Sequence, residues 1–170
     1  GFVRDRRHTR LGDGCMQYCN AKLFKSLYYL KNMEKFKFFE YTADVKYEAY
    51  GKTLAEAFES AALVVPTVIT QDKIRPIKTK KIKIKAKTKR ALLYDFIEEL
   101  IFMIDTNHLL FSEVNVKITG EEGAYVLDAF LKGDLYKNYE CHGDIKSMTY
   151  SDMAIKEKKN KVTLTIVLDI

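Results

Sequence analysis

The sequence predicts an α+β fold: a two-layer domain in which a mixed or largely antiparallel sheet of six or seven strands packs against two helices. Two observations carry that prediction. Apolar residues recur at clear helical spacing in two segments, 54–65 and 92–104, whereas most other structured segments alternate at the period of a strand. The order reads β-β-α-β-α followed by four more strands, and two helices are too few to cover both faces of so many strands. With 170 residues and 47% apolar composition, the chain can build one ordinary domain with a real core.

The first well-marked strand puts Val45, Tyr47 and Ala49 on one face and Lys46, Glu48 and Tyr50 on the other. Gly51-Lys52 turns the chain, and Thr53-Leu54-Ala55-Glu56 has the Thr-x-x-Glu form of a capping box opening a helix. Leu54, Ala57, Phe58, Ala61, Ala62 and Val65 form its apolar stripe, with Glu56, Glu59 and Ser60 outside it. Pro66 lacks an N–H and crowds the preceding turn, so the helix should end or kink there.

After a connection over 71–76, Ile82, Ile84 and Ala86 face one way while Lys81, Lys83, Lys85 and Lys87 face the other. The second helix carries a broad stripe that includes Leu92, Phe96, Ile97, Leu100 and Ile104. Val114, Val116 and Ile118 belong to the next strand. Gly120-Glu121-Glu122-Gly123 reads as a hairpin turn, and Tyr125, Leu127, Ala129 and Leu131 point inward beyond it. Gly133-Asp134 should break that strand, leaving 135–143 as a polar link before a strand over 145–155. Val162, Leu164, Ile166, Leu168 and Ile170 mark one face of the closing strand.

Charge is unevenly placed. Residues 1–32 carry a net +5, and the remainder only +1 of the total +6. A leader or N-terminal extension over 1–32, outside a domain spanning 33–170, is the expected organisation. A zinc site from His8, Cys15 and Cys19 lacks a fourth ligand at recognisable spacing, and a short basic amphipathic helix around Leu23 to Leu30 is a further reading. Three cysteines are too few and too scattered for a disulfide framework. No run of apolar residues reaches the ~18–20 of a membrane span, so a cytoplasmic protein with no membrane partner is expected.

No Gly-rich phosphate loop and no Gly-x-Ser-x-Gly elbow is present. Cys141 and His142 are sequence neighbours, which places them on opposite sides of an extended chain rather than as a nucleophile and its base. The row Lys81, Lys83, Lys85 and Lys87 admits two readings. One is an RNA-binding or chaperone-like face; the other is a solvated strand face whose lysines discourage edge pairing. No aromatic interleaves the lysines along the strand, as a base-stacking platform requires, which favours the solvated face.

The acidic residues suggest more. Asp169 is penultimate, close along the chain to the free carboxylate of Ile170. Were the last strand to end beside Asp44, three anionic groups would converge. Two charges about 4 Å apart repel by roughly 4 kcal/mol at an effective dielectric near 20, which a divalent cation would relieve. All-oxygen ligation suits a hard cation over zinc.

From Met33 to Ile170 the chain resembles the archease family. The resemblance rests on Tyr41-Thr42-Ala43-Asp44, Ala49-Tyr50-Gly51-Lys52-Thr53-Leu54 and Ala57-Phe58-Glu59-Ser60-Ala61-Ala62. It continues through Leu92-Leu93-Tyr94-Asp95-Phe96-Ile97-Glu98-Glu99-Leu100-Ile101-Phe102, Asp105-Thr106 and Leu110-Phe111-Ser112. Lys146-Ser147-Met148-Thr149-Tyr150 and the terminal Val167-Leu168-Asp169-Ile170 complete it.

This resemblance implies a non-enzymatic protein cofactor of the RNA-splicing ligase of the RtcB type, which joins tRNA halves through a guanylylated histidine. Such a cofactor promotes guanylylation and multiple turnover, and meets tRNA only through the ligase. The resemblance also implies a divalent-metal site at Asp44, Asp169 and Ile170, with calcium ahead of magnesium. Asp152 is an additional acidic candidate. The chain departs from the family pattern at Tyr41 and Ser151, where histidine is usual or frequent, and at Gly133-Asp134, where Gly-Glu is common.

Overall fold

The computed structural model describes residues 35–39 and 43–170, all within one compact unit. The readings placed on 1–32, and the departure at Tyr41, lie outside the described residues. Among these, the elements follow the expected order: β1 (Phe36–Phe39), β2 (Asp44–Gly51), α1 (Leu54–Ile69), β3 (Lys78–Ala86), α2 (Lys89–Asn107), β4 (Leu109–Thr119), β5 (Tyr125–Leu135), β6 (Ser147–Lys158) and β7 (Lys161–Asp169). Every strand pairing is antiparallel, and the class is α+β as the sequence indicates. The strands divide into two sheets, ordered β1-β2-β7-β6 and β3-β5-β4.

Both helices start where their capping chemistry puts them. Thr53 Oγ1 accepts from Glu56 N at 3.2 Å while Glu56 Oε2 accepts from Lys52 N at 2.8 Å, satisfying two amide groups at the start of α1. Thr88 Oγ1 accepts from Ala91 N at 3.1 Å, so α2 begins three residues before its apolar stripe.

Pro66 neither ends nor bounds α1, which continues to Ile69. A helical proline forfeits one bond to the carbonyl four residues back, and burial of its ring among apolar neighbours offsets that loss. The Pro66 carbonyl still accepts from Thr70 N at 3.0 Å, closing the final turn.

The core lies where the helices meet the sheets. α1 packs on β2 and β4, and α2 on β6 and β3, so each helix joins both sheets. Val45, Tyr47 and Ala49 are buried as their alternation requires. Tyr47 Oη donates to Ala61 O of α1 at 3.0 Å, and the rings of Phe58 and Phe96 stack at 6.0 Å where α1 meets α2. Each helix also supplies a carboxylate to an edge strand: Glu59 Oε1 accepts from Val116 N at 2.8 Å on β4, and Glu98 Oε1 accepts from Met148 N on β6. These contacts occupy donors that would otherwise be open to pairing by another chain. No helix among the described residues is long and apolar enough to cross a membrane.

Three further boundaries differ from the sequence reading. Gly133-Asp134 does not break β5, which continues to Leu135. A side chain at Gly133 would collide with the Leu110 carbonyl, so glycine is needed there for close approach of β4. The link over 135–143 carries structure of its own, a 3-10 turn at Tyr136–Asn138 anchored on buried Asp134. That carboxylate accepts from Leu135 N at 2.8 Å, Tyr139 Oη at 2.9 Å, Asn138 Nδ2 at 3.2 Å and Arg75 Nη2 at 2.9 Å. Finally, β6 starts two residues later and ends three later than expected.

Candidate metal centre

Antiparallel pairing brings the start of β2 beside the end of β7. Asp44 opens β2, Asp169 closes β7, and the register sets them directly opposite one another. Directly opposed residues share a face, with Cβ atoms about 4.5–5.5 Å apart, and like charges so placed are destabilising. Both aspartates are half-buried. On the other side of β7, Ser147 is the register partner of Asp169.

Lys146 holds this corner from both chain and side chain. Its N–H donates to Asp169 O at 2.8 Å and its Nζ donates to Ile170 O at 3.1 Å. The sequence reading missed Lys146 as a contact of this corner, for no pattern along the chain shows which cation will reach Ile170 O. Among the described residues, no group of three or more His, Cys, Asp or Glu side chains could hold a metal ion. The oxygens brought to the corner are those of the Asp44 and Asp169 carboxylates and Ile170 O. All three are hard oxygen donors that fit a hard divalent cation, and Lys146 competes for the third.

One row further along the same face, Lys46 and Thr149 flank Val167 of β7. Lys46 Nζ lies 3.1 Å from Asp152 Oδ2, so this ion pair reaches across β7 above Val167. Asp152 sits at φ 54° in an irregular stretch of β6, between Thr149 and Ala154, where pairing with β7 shifts register. Its carboxylate is thus engaged beside the aspartate pair. The same stretch carries Tyr150, whose ring lies 4.0 Å from and nearly parallel to that of Tyr94 on α2. Ser151 is exposed, with its N–H donated to Thr149 Oγ1 at 3.0 Å.

Among the described residues, the remaining reactive side chains do not assemble into a catalytic group. Cys141 is half-buried, burial pushes its thiol up from the ordinary range, and its Sγ faces the carbonyls of Tyr136 and Tyr139 at 3.9 and 3.7 Å. His142 is exposed, with Nε2 3.6 Å from Glu140 Oε1. His108 lines a cavity of about 310 Å³ together with Asp105 and Asp144. That cavity shares no lining residue with the aspartate pair.

The lysine row is partly as expected. Lys81, Lys83 and Lys85 are exposed on β3, an edge strand. Lys87 departs from the expectation: β3 ends at Ala86, and the Lys87 carbonyl accepts from Gly123 N at 2.8 Å in the turn beyond.

Comparison with known proteins gives one consistent answer. A family model described as "Archease protein family (MTH1598/TM1083)" matches residues 36–170. A protein archease from Sulfurisphaera tokodaii is 39% identical over 141 residues, covering 81% of this chain and 100% of the relative. One from Methanothermobacter thermautotrophicus is 31% identical over 140 residues, again covering 81% and 100%. Among solved structures, the solution structure of Methanobacterium thermoautotrophicum protein 1598 superposes with a TM-score of 0.72 at 31% identity, covering 81% of this chain and 100% of that one. The crystal structure of "an archease, possible chaperone" from Thermotoga maritima has a TM-score of 0.51 at 20% identity, over 79% and 96% of the two chains, a likeness of fold alone.

Proposed function

Because the chain belongs to the archease family, we propose that it is an activating partner of an RNA-splicing ligase of the RtcB type, promoting guanylylation and multiple turnover of that enzyme. In this reading the protein performs no ligation itself and meets tRNA through the ligase, in the cytoplasm. Residues 1–32 lie outside the activity, as an extension of the domain.

The observation that carries the site assignment is the direct opposition of Asp44 and Asp169 across β2 and β7. Facing carboxylates at the ends of two paired strands are costly without a counter-ion. Bound there, a divalent cation, calcium ahead of magnesium, would supply charge neutralisation and a fixed orientation of the two strand ends. The chain's own residues do the rest. Asp44 and Asp169 present oxygens on one face, and Lys146 donates to Ile170 O beside them, competing with the cation for that oxygen. Lys46 and Asp152 fix the next row, and this ordered corner is the surface offered to the ligase.

The test is a guanylylation assay with the cognate ligase under multiple-turnover conditions. The protein should raise turnover, and Asp44→Ala or Asp169→Ala should remove most of the effect. Full stimulation by both variants would overturn the site, and no stimulation by the unaltered chain would overturn the function.

A further inference from the structure

The outer face of the three-stranded sheet assembles cations around an exposed aromatic ring. β5 runs between β3 and β4, so opposed residues form rows across the sheet. Lys81, Phe130 and Asn115 make one row; Lys83, Asp128 and Lys117 the next; Lys85, Val126 and Thr119 a third. Thr79, Lys132 and Glu113 extend the face on the other side of the Phe130 row. Their neighbours along the chain, including Ile82, Leu127, Ala129 and Val116, are buried in the core. The rows therefore all project to the opposite side.

Five lysines share this face with two carboxylates. Both carboxylates are taken: Lys83 pairs with Asp128 at 3.3 Å and Lys132 with Glu113 at 3.0 Å. Lys81, Lys85 and Lys117 have no ion-pair partner among the described residues. Phe130, 37% exposed, lies on the central strand between them. An outward position on a central strand asks nothing of its residue but solubility, so an aromatic ring there among lysines is not explained by the fold. Strands lie about 4.8 Å apart and same-face residues about 6–7 Å apart along each strand. The three lysines thus stand roughly 5–14 Å from the ring, within the span of a few nucleotides.

We propose that this face binds single-stranded nucleic acid, with backbone phosphates on Lys81, Lys85 and Lys117 and an unpaired base stacked on Phe130. The absence of an aromatic along β3 argued for a merely solvated face; the ring is supplied instead by the neighbouring strand. Duplex is excluded as the preferred ligand because its bases are already stacked on one another and cannot lie on Phe130. The surface belongs to a different sheet from the aspartate corner, so this inference stands or falls separately from the proposed ligase activation.

The test is fluorescence anisotropy of a short labelled oligouridylate titrated with the full chain across a range of salt. Affinity should fall with salt. Because a single strand gives a slope of about 0.7 per neutralised phosphate, replacing Lys81, Lys85 and Lys117 together by alanine should lower the log–log slope by about 2. Phe130→Ala should weaken binding at least about fivefold with little change in slope, and Phe130→Tyr should restore it. All variants retain the basic residues of the N-terminus, so differences between them report only the sheet face. Binding unchanged in the triple variant would overturn the proposal. So would unchanged affinity in Phe130→Ala, equal affinity for duplex, or equal competition by polyglutamate, which would mark a surface for an acidic protein.

Discussion

Asp44 and Asp169 are direct cross-strand partners, the first residue of β2 against the last of β7. β7 is flanked by β2 and β6, so whatever happens at this pair is felt by three strands through two hydrogen-bonded ladders. Two acidic residues thus face each other in register, and among the described residues no third His, Cys, Asp or Glu side chain joins them in a metal-holding group.

If that corner holds a divalent cation, calcium should raise the melting temperature measured by scanning calorimetry. At a hundredfold excess over the dissociation constant the gain is about 2.7 kcal/mol, worth several degrees in a domain of this size. Asp169→Asn should abolish the calcium shift. In chelator the same variant should be equally stable or more so, by about 0.2–1 kcal/mol, because the opposed charge is gone. A full calcium shift in Asp169→Asn would contradict the assignment.

Lys146 brings a positive charge to Ile170 O, an oxygen that a cation would also use. Lys146→Met should therefore tighten calcium binding about fivefold at low ionic strength, the scale of one exposed charge pair in water. The gain should fade as salt rises. Isothermal titration calorimetry at two salt concentrations measures both effects, and weaker binding in the variant would show Lys146 to be a support rather than a competitor.

The buried carboxylate of Asp134 predicts an acid-sensitive element. The Leu135 N–H bond chiefly, with Tyr139, Asn138 and Arg75, holds it down to about 2, against the opposing effect of burial. A carboxylate whose folded value is depressed contributes stability that is present above its ordinary value and lost as pH falls through the folded value. Wild-type chain should therefore exceed Asp134→Asn in urea midpoint at neutral pH, and the gap should narrow between pH of about 4 and about 2. A gap constant across that window would contradict the linkage.

Tyr47 tests the link between the first sheet and α1. Its hydroxyl is fully buried, donates to Ala61 O at 3.0 Å, and is pushed well above the ordinary tyrosine value by burial. Tyr47→Phe removes one buried hydrogen bond while keeping the ring, and should cost about 1 kcal/mol. Tyr47→Ala also opens a cavity and should cost about 3–5 kcal/mol, read by urea denaturation.

How far the sequence could be read follows from the range of each interaction. Strand faces, helix stripes and the Thr53–Glu56 capping box depend on residues a few positions apart and were legible, save that Ser60, placed outside the stripe of α1, is buried with its hydroxyl donating to Glu56 O. The meeting of Asp44 with Asp169 was legible in outline, because one lies at the start of an alternating strand and the other at the end of the chain. A helix stop at Pro66 and a strand break at Gly133-Asp134 do not occur, because local propensity is overridden, by burial of the proline and by the close approach of β4. Cross-strand register, which has no period along the chain, brought together Lys46 with Asp152, Lys146 with Ile170, and Phe130 with Lys81. The sequence by itself determined the elements, their order and the faces they bury, since those are encoded at short range. Only the tertiary structure decided the division into two sheets and the neighbours of each charged residue, because pairing joins residues up to the full length of the domain apart.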